Sequence, residues 1–340
     1  MEKQTDKLNR EEKFEALQEQ LETIADSYVA DPEKIAEYLQ FASKFYRYSP
    51  TNTMLIQAQN SAATFIASFQ AWRSQGYSVR RGETGMKIFV PVTVTFFKDS
   101  KGDVKQISQA TAQEKKMIQD KKFESWTKLR FKIGTVFDIV QTNVPFADYP
   151  KILTPGVASE EHAAITERLT SYIEANVCDV KTQMSDGATI LGSYDGHLNL
   201  IQLSPAQEDT ALLSTLAHEL GHAIMHQEKP DLSVTEKEFQ ADAFSIMLHQ
   251  ELGLDITDDS KAHLAYVFNE MKRDIERRAI KEAPEDVDKK EYVKLSQRRV
   301  MIFSLKEVHA TYNAHIPSII KAIKEPSIGR APEIEYERTK

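Results

Sequence analysis

Residues 212–226 read Leu-Leu-Ser-Thr-Leu-Ala-His-Glu-Leu-Gly-His-Ala-Ile-Met-His and combine an apolar stripe with three histidines. The apolar side chains recur at spacings of three and four, which is typical of a helix that buries one face in a domain core. Upstream, Ser-Pro-Ala-Gln at 204–207 offers an N-cap, a first-turn proline and a capping-box glutamine, so we expect the helix to begin there. The opposite face carries His218, His222 and His226.

The spacing of the first two histidines predicts a metal site. His218 and His222 are four residues apart, so they lie on one face of the helix and can bind the same zinc ion. A single buried histidine is more often a core residue with a satisfied hydrogen bond, but two around a glutamate favour metal. Glu219 would then be the general base that takes a proton from the attacking water and passes it to the leaving amine. His226, one turn further, would line the site or cap the helix end.

Hydrolytic zinc sites use three protein ligands, so one more should follow nearby. The next helix offers Glu236 and Glu238. Because Ser233 and Glu236 form a capping box, Glu236 has a structural task, and Glu238 is the predicted third ligand. Asp242, one turn after Glu238, would accept a hydrogen bond from the free ring nitrogen of a ligand histidine. The alternative is an ordinary solvated helix face.

The rest of the predicted chemistry is less specified. The single cysteine, Cys178, excludes an internal disulfide and a cysteine-rich site, so His, Glu or Asp must hold the metal, and we expect one Zn²⁺ per chain. A tyrosine or histidine could stabilise the developing oxyanion, and the sequence does not choose among the candidates. These are Tyr194, His226, His249 and Tyr266.

Residues 216–226 together with Glu-Phe-Gln-Ala-Asp-Ala-Phe at 238–244 resemble the ImmA/IrrE family of zinc metallopeptidases. The second motif of that family usually reads Glu-x-x-Ala-Asn-x-Phe, and Asp242 stands here in the asparagine place. The change favours a glutamate zincin and leaves the ligands undisturbed. The resemblance covers about residues 155–260, and it implies a cytoplasmic protease that cleaves a regulatory protein.

Residues 41–98 have a different character. The chain has a formal net charge of −8, yet this segment has seven lysines and arginines and a single acidic residue, Glu83. Aromatic side chains alternate with these cations, a mixture typical of proteins that bind single-stranded nucleic acid. Alternatively, Phe65, Phe69 and Trp72 have helical spacing, within a helix that we predict from Ala62 to Ser74, and belong to a core. The predicted DNA contacts are Arg47, Tyr48, Arg73, Arg80, Arg81 and Lys87.

The order of residues in this region resembles the N-terminal domain of ArdC-type antirestriction proteins. The motifs are Tyr-Ser-Pro-Thr-Asn at 48–52 with Leu55, Ile56 and Gln59, then Arg-Gly-Glu-Thr-Gly-Met-Lys-Ile at 81–88 and Val-Phe-Asp-Ile-Val-Gln-Thr at 136–142. The match spans roughly 41–145, and it implies non-specific binding of single-stranded DNA by a protein carried on a plasmid or other mobile element. The charged segment 99–130, which we predict to be a solvated hairpin or insertion, departs from the pattern.

These observations predict an α+β protein with four segments. Residues 1–40 form a helical lead-in, 41–150 a helix-plus-sheet domain that binds DNA, and 151–325 a zincin-like metallopeptidase domain with C-terminal helices. Residues 326–340 are a disordered tail. The N-terminus has no apolar signal core and no later stretch has the length of a membrane span, so a cytoplasmic protein without a membrane partner is the simplest interpretation.

Two functions fit the combined motifs. The first is a zinc-dependent peptidase tethered to single-stranded DNA, which cleaves a DNA-associated protein during plasmid transfer. The second is an antirestriction factor that protects DNA by coating it, with a structural or vestigial metal site. Glu219 favours the first, because a purely structural metal site does not need that residue.

Overall fold

The structure is a computed structural model, which describes residues 2–45, 48–145, 162–183, 191–205, 207–227, 229, 231–256 and 258–324. The chain forms two compact units. The first comprises residues 1–24 and 51–150, and the second comprises residues 25–50 and 151–340. None of the described helices contains a stretch that is both long and apolar enough to span a lipid bilayer.

The first unit is an antiparallel sheet with helices. It contains the first part of α1 (Glu2–Ala30), then α3 (Pro50–Gln59), β1 (Ile66–Ser68), α4 (Phe69–Ser74), β2 (Met86–Lys98), β3 (Val104–Gln106), α5 (Ala112–Gln119) and β4 (Ser125–Asp138). The sheet order is β1-β4-β2-β3. Strands β2 and β4 pair from Met86 opposite Val136 to Phe97 opposite Ser125, and together they form a long two-stranded ribbon.

Helix α3 binds the edge of β2 through two amide side chains. Asn52 donates to the Phe89 carbonyl and accepts from the Phe89 N–H, both at 2.8 Å. Two helical turns later, Gln59 makes the same pair of bonds to Lys87. The two amides therefore form hydrogen bonds with the backbone N–H and C=O groups at this edge of β2, as a neighbouring strand would. Both belong to the ArdC-like motif, which gives that part of the motif a structural role.

A buried carboxylate fixes the entry to β1. Asp138 accepts hydrogen bonds from the backbone N–H groups of Thr64 and Phe65, at 2.6 and 3.2 Å. This holds residues 64–65 extended, and Ser68 then caps α4 through the N–H of Ala71. The helix predicted from Ala62 to Ser74 is therefore wrong in its first part. The α4 side chain Trp72 is buried against Ile139 and Val144, so it belongs to the core.

Residues 99–130 have more regular structure than a solvated hairpin. They contain β3, α5 and the start of β4, and Asp99 organises the turn after β2. Its carboxylate accepts from the N–H groups of Lys101 and Asp103 and forms an ion pair with Lys105 at 2.6 Å. These bonds hold the pKa of Asp99 down at about 2, with the Lys105 contact as the largest cause.

The second unit surrounds one central helix. Besides the end of α1 and α2 (Pro32–Ser43), it contains α6 (His162–Asn176), β5 (Asp179–Thr182), β6 (Gly192–Asp195), β7 (Leu200–Leu203), α7 (Asp209–Met225), α8 (Val234–Glu251), α9 (Asp258–Glu282) and α10 (Lys289–Lys324). Its small sheet has the order β5-β7-β6. Helix α8 packs against α2, α7, α9 and α10, so all of its side chains from Phe239 to His249 are buried.

Helix α7 begins later than its sequence suggests. Its N-cap is Glu208, whereas the predicted start was Ser204. The reason is Gln207, whose amide donates to the carbonyls of Leu191 and Ser204 and accepts from the Thr215 hydroxyl. These bonds hold Gln207 outside the helix.

The predicted combination of helix and sheet is confirmed. Other expectations fall on parts of the chain outside the described residues. These are the proline-rich boundary near residue 150, within 146–161, and the C-terminal tail, within 325–340. The domain limits at 40, 150 and 325 stay predictions.

Candidate metal centre

The site forms where α7 and α8 approach each other closely. A Cβ atom on Gly221 would lie 3.0 Å from Cα and 3.2 Å from the carbonyl oxygen of Ala241. Any side chain at 221 would therefore push α8 away. The glycine inside the His-Glu-Leu-Gly-His motif thus brings Glu238, near the start of α8, to the two histidines on α7.

Three side chains converge at this crossing. The Nε2 atoms of His218 and His222 lie 3.1 Å apart. The carboxylate oxygens of Glu238 lie 3.3 Å from Nε2 of His218 and 3.5 Å from Nε2 of His222. In a tetrahedral zinc site with bonds of about 2.0–2.1 Å, neighbouring ligand atoms are about 3.4 Å apart. The three groups fit a divalent ion of this size, and they are the described residues that could jointly hold one.

Asp242 orients the first histidine. Its Oδ1 accepts from Nδ1 of His218 at 2.8 Å, and its Oδ2 accepts from Nδ1 of His263, on α9, at 2.9 Å. The first bond leaves Nε2 of His218 free to bind a metal. Asp242 is 8% exposed, and burial alone would raise its pKa, but the hydrogen bonds from the two histidines hold the pKa below its usual value.

The second histidine is oriented by a neutral chain of hydrogen bonds. Nδ1 of His222 lies 3.0 Å from Nδ1 of His226, whose Nε2 lies 3.1 Å from Oε1 of Gln240. Gln240 donates in turn to the hydroxyl of Ser304, on α10, at 3.2 Å. If Nε2 of His222 binds a metal, its proton lies on Nδ1, so His226 must accept at Nδ1 and donate at Nε2. The amide of Gln240 is oriented to satisfy that tautomer.

Glu219 lies beside the three predicted ligands and points toward the small sheet. It is 6% exposed, and burial raises its pKa above the usual value. The backbone N–H of Tyr194, on β6, donates to its carboxylate. The neighbouring Gly192 leaves room for it, since a Cβ there would lie 3.2 Å from Cγ and Oε1 of Glu219. A carboxylate with a raised pKa accepts a proton more readily than an ordinary one, which suits a group that transfers protons.

The site favours positive charge. Burial would lower the pKa of His218, but hydrogen bonds to Asp242 and Glu238 outweigh it and raise that pKa to about 10. The pKa of Glu238 is held well below its usual range; burial opposes this shift and the two histidines cause it. The two carboxylates, Glu238 and Asp242, therefore favour positive charge beside His218 and His222.

The four predicted electrophile candidates lie in different places. Tyr194 donates through its hydroxyl to Asn199 at 3.0 Å, and His226 belongs to the hydrogen-bonded chain behind His222. His249 donates to the Ser245 carbonyl and lines a separate small cavity with His162. Tyr266 is 65% exposed on α9. The structure brings only His226 into hydrogen-bonding contact with a predicted ligand, and the choice of electrophile stays open.

Three residues of the site were not found from the sequence. His263 is an isolated histidine in a charged helix, and Gln240 and Ser304 have no motif of their own. Gln240 carried one usable signal, because it lies one turn before the buried Phe244 on a helix otherwise rich in apolar residues. The long separation of Ser304 from the motif leaves no local pattern to read.

The predicted DNA-contact residues are distributed over both units. Arg73, Arg80, Arg81 and Lys87 belong to the first unit and are exposed, and the Lys87 ammonium donates to the Thr135 hydroxyl at 2.8 Å. Tyr48 belongs to the second unit and packs edge-on against Phe45, with ring centroids 6.4 Å apart. Arg47 lies outside the described residues.

Comparison with known proteins yields two family matches. Residues 8–137 match the N-terminal domain of the anti-restriction factor ArdC, and residues 174–254 match the IrrE N-terminal-like domain. Both resemblances predicted from the motifs are thereby confirmed. The uncharacterized protein pXO2-81 of Bacillus anthracis is 30% identical over 278 residues, which are 74% of this chain and 47% of that protein. The chain thus spans about half the length of this curated relative.

Two solved structures are also similar. They are crystal structures of the antirestriction ArdC protein from the R388 plasmid, one metal-free and one with Mn(II) bound. The metal-free structure is 18% identical with a TM-score of 0.41, and it covers 77% of this chain and 85% of its own. The Mn(II)-bound structure is 15% identical with a TM-score of 0.46, and it covers 90% of this chain and 98% of its own.

Proposed function

Because the chain joins an N-terminal domain of the ArdC type to an IrrE-like domain, we propose that it is a zinc-dependent metallopeptidase coupled to non-specific binding of single-stranded DNA. The observation that carries the peptidase half is the geometry of His218, His222 and Glu238. Three ligands leave a fourth position of a tetrahedral ion for a reactant, which distinguishes hydrolytic zinc sites from structural ones. Glu219 beside them has the raised pKa that a general base needs.

Each residue of the site has a separate role in the proposed reaction. A zinc ion held by His218, His222 and Glu238 would act as a Lewis acid on the peptide carbonyl and on the attacking water. The carboxylate of Glu219 accepts the proton of that water and then delivers it to the nitrogen of the leaving amine. Asp242 and His226 keep the two ligand rings in the tautomer that presents Nε2.

The small sheet supports a peptide as substrate. Among the described strands, β6 lies at the edge of the sheet, and it approaches Glu219 through Gly192 and Tyr194. An extended peptide can add to such an edge by main-chain hydrogen bonds, which hold it without regard to most of its side chains. A peptide bound along β6 would pass the general base.

The DNA half of the proposal is supported by the exposed cations of the first unit and by the identity of its family match. We place the activity in the cytoplasm of a cell that carries a plasmid or another mobile element. There the DNA-binding unit would deliver the peptidase to proteins associated with incoming single-stranded DNA. Such binding depends on phosphate contacts, so it should weaken steeply with salt.

A Glu219→Gln variant tests the peptidase half. The change preserves the size of the side chain and leaves the three ligands intact. Zinc should therefore bind as in the wild type, while the effect of the protein in cells is lost. An unchanged effect in cells would contradict the peptidase assignment.

For the DNA half, an Arg80→Ala/Arg81→Ala variant should bind a single-stranded oligonucleotide more weakly, with a shallower salt dependence. Wild-type binding that is absent or insensitive to salt would contradict it.

The second candidate function is antirestriction by DNA coating, with a structural or vestigial metal site. The matched N-terminal domain is that of an anti-restriction factor, which favours this second function. In that case protection of DNA from restriction would survive Glu219→Gln and be lost in the DNA-binding variant. The peptidase proposal expects protection to depend on both.

A further inference from the structure

The ribbon of β2 and β4 carries a row of cations that the predicted DNA contacts do not include. Lys128, Arg130 and Lys132 occupy alternate positions of β4, so their side chains lie on one face. The strand register places them opposite Val94, Val92 and Val90 of β2. All three are exposed.

No carboxylate of the two strands neutralises this row. Strand β2 contains no acidic residue, and the only one in β4 is Asp138, which is fully buried at the far end and binds backbone N–H groups. Within the described parts of the chain, none of the three cations forms an ion pair. Arg130 instead lies 6.0 Å from the ring centroid of Phe96. A protein of net charge −8 thus presents three unpaired cations in one line.

An aromatic pair continues the same face. Trp126 lies two positions before Lys128 and opposite Phe96 in the register. The two rings are nearly parallel, with an interplanar angle of 18° and centroids 6.4 Å apart, and both are only partly buried. A partly exposed indole beside a row of cations combines the two elements by which proteins bind single strands: a stacking surface and phosphate contacts.

We propose that the face formed by Trp126, Lys128, Arg130 and Lys132, which we call the ribbon face, binds the backbone of single-stranded nucleic acid. Alternate residues of a strand are about 6.8 Å apart, so the three cations extend over about 14 Å. An extended single strand presents successive phosphates at a comparable spacing, so it can follow the row while a base stacks on Trp126. The proposal rests on the DNA-binding half of the proposed function and gives it a second contact surface.

The opposite face of the ribbon has another chemistry. Leu129 and Phe131 are 63% and 52% exposed there and carry no charge, which would suit a protein partner. The charge therefore assigns the polyanion to the ribbon face. The strand register also separates the ribbon face from Lys87. This residue pairs with Thr135, and both side chains lie on the opposite face.

The test is a matched pair of triple variants. Lys128→Gln/Arg130→Gln/Lys132→Gln removes the row, and Lys115→Gln/Lys116→Gln/Lys122→Gln removes three exposed cations of the same unit at and just after α5. Both change the net charge equally. Affinity for oligothymidylate is measured by fluorescence anisotropy over a range of salt. Each lost contact should reduce the slope of log affinity against log salt by about 0.7, so the ribbon variant should lose about 2.

Tryptophan fluorescence gives an independent readout. The chain has two tryptophans, and Trp72 is 1% exposed with its indole N–H bonded to the Phe137 carbonyl. Quenching by oligothymidylate should therefore come from Trp126 and disappear in Trp126→Phe. Circular dichroism of each variant checks that the ribbon remains folded.

The outcomes distinguish a failure of the ribbon face from a failure of the DNA binding on which it rests. If the wild type does not bind oligothymidylate, the DNA half of the proposed function fails and the ribbon face with it. If the wild type binds and the ribbon variant binds as well as the α5 variant, the ribbon face is overturned and DNA binding stands. Competition by polyglutamate at equal charge concentration would also overturn it, because the surface would then not select nucleic acid. A selective loss in the ribbon variant, together with quenching of Trp126, supports it.

Discussion

The Nδ1 atoms of His222, in the last turn of α7, and His226, the C-cap of that helix, lie 3.0 Å apart. The bond makes His226 the acceptor that holds the proton of His222 on Nδ1 and so presents Nε2 to a metal. Since His226 then donates to Gln240, it acts in the neutral form, and burial accordingly lowers its pKa to about 4. The third histidine of the motif is thus a positioning residue.

His226→Ala should lower zinc affinity about 10- to 100-fold, because it removes the acceptor that orients His222. His226→Asn should recover part of the loss, since its amide oxygen can replace Nδ1 but does not reach Gln240. Competition with a chelating dye measures both. His197→Ala, which changes an exposed histidine of the same unit, is the control. Equal affinities for His226→Ala and His197→Ala would refute the positioning role.

Asp242 and His263 should contribute unequally to metal binding. Asp242→Ala leaves Nδ1 of His218 without its acceptor and should cost about 10- to 100-fold in zinc affinity. His263→Ala removes the other hydrogen bond to Asp242 but leaves the bond to His218, so we expect a much smaller loss. Isothermal titration with zinc compares the two. A larger loss from His263→Ala would show that it binds the metal or its ligands directly.

Two glutamates on α8 offer a matched test of the third ligand. Glu238→Gln should abolish stoichiometric zinc binding, because the amide lacks the charge that the ion requires. Glu236→Gln should retain binding, since Glu236 closes the capping box with Ser233 and a glutamine serves equally there. The metal content of the purified variants decides the question. Zinc retained by Glu238→Gln and lost by Glu236→Gln would reverse the assignment.

His309 should make the protein sensitive to acid. It is 1% exposed on α10, burial lowers its pKa to about 4, and neither ring nitrogen has a partner among the described residues. The unfolded chain binds this proton near pH 6.5, so the associated stability is complete above that pH and is lost as pH falls toward 4. Between pH 7.5 and pH 5 the loss from this group is about 2 kcal/mol.

His309→Leu removes the unpaired polar atoms and the titration together. Denaturant unfolding at the two pH values should show the variant more stable than the wild type, and the difference should grow toward pH 5. A constant difference would mean that His309 has the same pKa in the folded and the unfolded chain. His197→Leu, which changes an exposed histidine of the same unit, is the control.

Local sequence patterns predicted the three candidate metal ligands but few of the residues that orient them. The spacing of His218 and His222 and the capping box at Ser233 are properties of single helices, and both can be read from neighbouring residues. His263 and Ser304 reach the site only because α9 and α10 pack on α8, and such tertiary contacts have no period in the sequence. The helix predicted from Ala62 was wrong for a similar reason, because the distant Asp138 holds residues 64–65 extended.

The DNA-binding prediction shows the same limit. The excess of cations in residues 41–98 was visible in the composition, and the ArdC-like motif marked the region. Asn52 and Gln59 of that motif bind the edge of β2, so motif residues and contact residues are not the same set. Lys128 and Arg130 of the row on β4 lay in the segment 99–130, which we predicted to be a solvated hairpin or insertion, and their alternation with Lys132 emerges once the strand is known to begin at Ser125.

The most direct test of the peptidase assignment is a comparison of protein N-termini in cells that produce the wild type or Glu219→Gln at equal levels. Zinc content measured on both purified proteins ensures that only the general base differs. The account predicts new N-termini in one or a few DNA-associated proteins with the wild type and their absence with the variant. Identical sets of N-termini, with both proteins fully loaded with zinc, would contradict it.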